Sequence, residues 1–67
     1  MASKQQMDHD AYRRKVRGMS DDSLRWVIRD CREALDANPD TDKASYYQDE
    51  ICYCEMELAA RQRRAVR

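Results

Sequence analysis

The side chains best suited to chemistry in this chain are its three cysteines, its one histidine, a cluster of carboxylates and its one tryptophan. A zinc site needs four ligands converging on one tetrahedral centre. Cys52 and Cys54 stand two apart, so on a helix they point about 200° away from each other and cannot share an ion. Cys31 and Cys54 sit about two helical turns apart in level once the helices are paired, too far for a disulfide. His9 falls in the segment expected to be least ordered. The cysteines therefore read as free, buried or half-buried thiols behaving as small apolar residues, and no metal or other cofactor is expected. The carboxylates Asp49, Glu50, Glu55 and Glu57 have the density of a di-metal site in a helical bundle, but no Glu-x-x-His accompanies them. They read as solvated helix faces, with Glu57 and Arg61 paired at i,i+4. With no glycine-rich phosphate loop and no nucleophile beside a base, the chain is expected to be a non-enzyme.

Binding chemistry is better represented. Trp26 lies about 200° from Leu24 on a helical wheel, away from the apolar seam and among Asp22, Arg25, Arg29 and Glu33. Tyr46, Tyr53, Met56 and Ala60 form a second stripe on the following helix, off its seam. Aromatic and arginine side chains are the types enriched at interface hot spots, so Trp26, Tyr46, Tyr53, Met56 and Arg29 are the candidate protein-binding residues. The competing reading is coverage of Trp26 by an N-terminal helix through Tyr12 and Val16, or self-association through the stripe.

Charge supplies a second candidate site. The whole chain balances thirteen basic against thirteen acidic residues, so no global field draws in nucleic acid. Residues 1–19 nevertheless carry a net +3, residues 20–60 a net −7 and residues 61–67 a net +4. Arg13, Arg14, Lys15 and Arg17, with Arg61, Arg63 and Arg64, make a candidate nucleic-acid-binding set. Basic residues at helix C-termini also complement the helix dipole and bond the last carbonyls, which is the plainer explanation.

The elements that must position these residues are helices. One glycine, one proline and no phenylalanine leave little strand or turn material. A short helix is predicted over about residues 8–17, capped by Asp8 or Asp10, striped by Tyr12, Val16 and Met19 and closed by Gly18. Ser20 is the next N-cap, with Asp21 and Asp22 in the first turn and Met19 against Leu24 as a hydrophobic staple. The helix then predicted over about 20–37 gathers Leu24, Val27, Ile28, Cys31, Ala34 and Leu35 within an arc of about 120°. Asn38-Pro39-Asp40 stops it, and Asp40, Thr41 or Asp42 caps a third helix over about 42–64. That helix has a seam of Ala44, Tyr47, Ile51, Cys54 and Leu58. A short break between two amphipathic helices makes them antiparallel neighbours, with Leu24 beside Cys54 and Cys31 beside Tyr47. The fold class is all-α: an antiparallel helical hairpin with a short N-terminal helix, as a three-helix monomer or a dimeric bundle.

Sixty-seven residues make one small domain, with residues 1–7 expected to be loose. No apolar run is long enough to span a membrane and no signal-peptide core follows the first basic residue, so a cytoplasmic location is expected. Below about 70–80 residues an apolar core seldom supplies more than about 3–5 kcal/mol, which makes a second copy or a partner attractive.

One resemblance adds context. Ser23-Leu24-Arg25-Trp26-Val27-Ile28-Arg29-Asp30, the Glu33-Ala34 pair, Asn38-Pro39-Asp40, Lys43 and Tyr47-x-x-Glu50-x-x-Tyr53-x-x-Glu57-Leu58-x-x-Arg61 form a pattern over about residues 19–61. It resembles small helical accessory proteins of tailed bacteriophages, including relatives of the T7-like group. The resemblance implies a short protein made in an infected bacterial cytoplasm that binds and redirects a host or phage protein. It carries no functional residue with it.

Overall fold

A computed structural model describes residues 7–66, and residues 1–6 and Arg67, with the loose N-terminus expected there, lie outside the described residues. Three helices follow in order: α1 (His9–Arg17), α2 (Asp21–Ala37) and α3 (Ala44–Val66). The local chemistry accounts for each boundary. The Asp8 carboxylate accepts from the Ala11 N–H at 3.2 Å and starts α1, and Ser20 Oγ accepts from the Ser23 N–H at 3.1 Å and starts α2. Gly18 closes α1 at φ −91° and ψ 1°, with its N–H bonded to the Lys15 carbonyl at 3.1 Å. That conformation is open to any residue, and a Cβ there would meet only Lys15 O at 3.7 Å. Gly18 is thus a weak helix former at a boundary rather than a left-handed cap.

Asn38, ahead of Pro39, leaves the helical region at φ −149° and ψ 78°. Thr41 then accepts from the Lys43 N–H through Oγ1 at 3.2 Å, while its carbonyl takes the Ala44 N–H at 3.1 Å. Asp42 and Lys43 are held in that turn, so α3 opens at Ala44 rather than at about 42, and it continues to Val66 rather than stopping at 64.

α2 runs antiparallel to α3 along much of its length, and α1 docks on α3 over a shorter stretch. The hairpin is therefore present, and α1 packs onto it. The core is concentrated where all three helices meet: Tyr12 and Val16 from α1, Leu24 and Ile28 from α2, and Cys54 from α3. Leu24 and Cys54 have no exposed surface at all. Met19 packs against this cluster as the staple requires, and so does Met7. Towards the Asn38–Pro39 turn only two helices remain, and Ala34, Leu35, Ala44 and Tyr47 are half-buried rather than buried. Among the described residues no helix is long and apolar enough to cross a membrane.

Candidate functional site

The position of α1 decides which predicted site residues remain available. It lies over Tyr53 of α3 and not over Trp26. The Tyr12 and Tyr53 rings meet at 5.9 Å between centroids, His9 Nδ1 hydrogen-bonds the Tyr53 hydroxyl at 2.8 Å, and Arg13 stacks over the Tyr53 ring at 5.8 Å. Coverage of Trp26 by Tyr12 and Val16 is thereby ruled out, because both side chains are spent on the three-helix core. Trp26 stays 60% exposed. His9 is also corrected: it is the first residue of α1 and holds Tyr53.

A narrow polar strip on α3 explains the docking. At 100° per residue, Glu50, Glu57 and Arg61 fall within about 40° of one another, between the seam facing α2 and the tyrosine stripe facing α1. Glu50 accepts from the Tyr12 hydroxyl at 2.8 Å with one oxygen and from the Cys31 thiol at 3.3 Å with the other. One carboxylate so ties α1 and α2 to α3. Arg61 works at the other end of the strip. Its guanidinium donates to Glu57 at 2.8 Å, to Asp21 at 2.6 Å, and to the carbonyls of Val16, Arg17 and Met19 at 3.2, 3.3 and 2.8 Å. These are last-turn and linker carbonyls; that of Val16 also takes the Met19 N–H at 3.2 Å, so the guanidinium adds a second donor there.

Two sequence expectations are corrected by this strip. Glu50 and Glu57 are not solvated faces, and Glu57 keeps only 14% of its side chain exposed. Arg61 is not a free cation for nucleic acid, since its donors are committed within the fold; the expected Glu57–Arg61 pair is present. Both roles have a sequence signal, because Glu50 sits three residues after Tyr47 and four before Cys54, at the edge of the seam. Charge hid it.

The cysteines divide in two. Cys31 and Cys54 are buried and Cys52 is exposed, its thiol 3.7 Å from the Met56 sulfur. Burial, then the hydrogen bond to Glu50, push the Cys31 thiol from its usual 9 up to about 12. Burial and Glu50 likewise raise the Tyr12 hydroxyl, and burial raises Cys54. These groups are kept protonated, which suits donors in a packed junction and not nucleophiles. The folded chain then holds a proton at Cys31 that the unfolded chain gives up above pH 9. This contribution to stability is complete below pH 9 and is lost as pH rises towards 12. Urea midpoints should fall between pH about 8 and about 10.5, and the fall should be smaller in Cys31→Ala. An equal fall in both proteins would remove Cys31 from the account.

The remaining candidates are dispersed. Tyr53 and Met56 share a groove of ≈ 460 Å³ between α1 and α3, with Arg13, Arg17 and Arg63 on its rim. Met56 is 56% exposed, whereas Tyr53 is half-buried beneath α1. Arg29 lines a separate groove on α2 beside Ile28, and Trp26 and Tyr46 line neither. Tyr46 is half-buried one turn before Glu50. Of the basic set, Arg14 is exposed, Lys15 lies over the Tyr12 ring at 5.2 Å, and Arg64 approaches Glu57 at 3.9 Å. The five protein-binding candidates are thus not one patch. No known protein family, curated protein or solved structure matches this chain.

Proposed function

We propose that this chain is a non-catalytic binding protein that acts by binding and modulating a host or phage protein, as its resemblance to phage accessory proteins implies. The observation that carries the reading is that Trp26 and Met56 remain 60% and 56% exposed although all three helices are packed. Tryptophan is among the side chains most often found to anchor an interface, and this one stays out of the buried core among the described residues. The groups that offered chemistry support a non-catalytic role, because they are engaged in packing: Glu50 joins three helices, Glu57 holds Arg61, and the Cys31 thiol stays protonated.

The second reading is a small nucleic-acid-binding protein. It is favoured by the convergence of Arg13, Arg17 and Arg63 on one groove, with Arg14 and Arg64 exposed nearby in sequence. The tagged chain, mixed with nuclease-treated bacterial lysate, separates the two. A single protein retained in stoichiometric amount after nuclease is the expected result. Recovery of nucleic acid alone, with affinity that falls steeply with salt, would transfer the function to the arginines.

A further inference from the structure

We propose that the groove between α1 and α3 docks an acidic amphipathic helix of the partner protein. This rests on the protein-binding reading and deepens it by naming a site and the chemistry of its occupant.

The groove floor is apolar, formed by Tyr53, Met56 and Ala60, and its rim carries Arg13 and Arg17 from α1 and Arg63 from α3. None of these three arginines has a carboxylate within 4.0 Å among the described residues. Glu57, the acid that also lines the groove, is already held by Arg61 at 2.8 Å. The rim is therefore a set of unneutralised cations beside an apolar trough. Arg13 and Arg17 stand one helical turn apart, about 6 Å along α1, which matches two carboxylates one turn apart on a facing helix. Arg13 is steadied by Tyr53 at 5.8 Å, and the small Ala60 lets large apolar side chains of an occupant approach α3.

The alternative occupant, a single-stranded nucleic acid, fits less well. It needs free aromatic faces on which bases stack. Tyr53, the groove's aromatic ring, is flanked by Tyr12, His9 and Arg13. Phosphates have no use for the apolar floor, and the chain's net charge is zero.

The test is an NMR titration of the isotope-labelled full chain with two synthetic amphipathic helical peptides. They share one leucine face and carry Glu or Lys on the other. The Glu peptide should shift amides at Arg13, Arg17, Tyr53, Met56 and Arg63, and the Lys peptide should not. Met56→Glu puts a carboxylate into the floor at an exposed position that folding does not need, and it should weaken the Glu peptide about tenfold or more. Arg63→Ala should weaken it in the same direction, and Lys43→Ala, at an exposed position in the turn before α3, should leave it unchanged. Shifts mapping to Trp26 and Arg29 instead would overturn the groove and leave the protein-binding reading standing. Equal binding of both peptides, or shifts from neither, would also overturn the groove. Groove shifts produced by a mixed-sequence single-stranded oligonucleotide, with neither peptide binding, would overturn both.

Discussion

Leu24→Ala is expected to leave this protein largely unfolded at room temperature. Leu24 has no exposed surface and sits where Tyr12, Val16, Ile28 and Cys54 converge. Truncating a fully buried leucine removes its transfer energy and opens a cavity, together costing about 3–5 kcal/mol. A core in a chain this short supplies about 3–5 kcal/mol in total, so one substitution consumes the whole margin. Position along the hairpin makes the effect specific. Leu35 has the same chemistry but lies at the two-helix end and is half-buried, so Leu35→Ala should cost clearly less and leave a folded protein. Far-UV circular dichroism followed through a urea titration distinguishes them. Equal losses from both leucines would mean that the core is spread along the hairpin and α1 does not complete it.

Arg61→Ala should loosen the docking of α1 more than the pairing of α2 with α3. One guanidinium bonds Glu57, Asp21 and the carbonyls of Val16, Arg17 and Met19. Its removal takes one donor from each of these carbonyls: the part-buried Met19 carbonyl gains nothing in exchange, while that of Val16 keeps the Met19 N–H at 3.2 Å. Lysine keeps the charge but lacks the planar fork, so Arg61→Lys should restore only part of the docking. Amide exchange should accelerate across α1 by at least an order of magnitude in Arg61→Ala, with α2 and the middle of α3 changing far less. Arg63→Ala is the control, because Arg63 is exposed and outside the ion pairs found among the described residues. If both variants exchange alike, Arg61 is a surface cation and no clamp.

The sequence made the elements legible because their signals are local. Ser20 with Asp21 and Asp22, Asn38 before Pro39, and two seams of matching length specify a helical hairpin without further information. The placement of α1 was not legible, because its thin stripe of Tyr12 and Val16 suits either Trp26 or Tyr53 equally well on a helical wheel. What decides between them is the polar strip: Glu50 bonds both Tyr12 and Cys31, and Arg61 meets carbonyls that no pattern of side chains announces. The role of Glu50 is hidden for a related reason. A carboxylate at the edge of a seam looks solvated until a buried hydroxyl and a thiol are placed against it. For the candidate binding residues, spacing could not say that Tyr53 would be committed to α1 while Trp26 and Met56 stayed exposed.

The central claim is that Trp26 and Met56, the side chains proposed to carry binding, are not ones on which folding depends. The most direct measurement compares the wild-type chain with a Trp26→Ala, Met56→Ala double variant, reading urea stability and partner capture from nuclease-treated lysate on the same samples. Both positions are exposed, so the account predicts an unchanged urea midpoint together with loss of the captured protein. A variant that loses stability and partner together, or that keeps its partner in full, would contradict it.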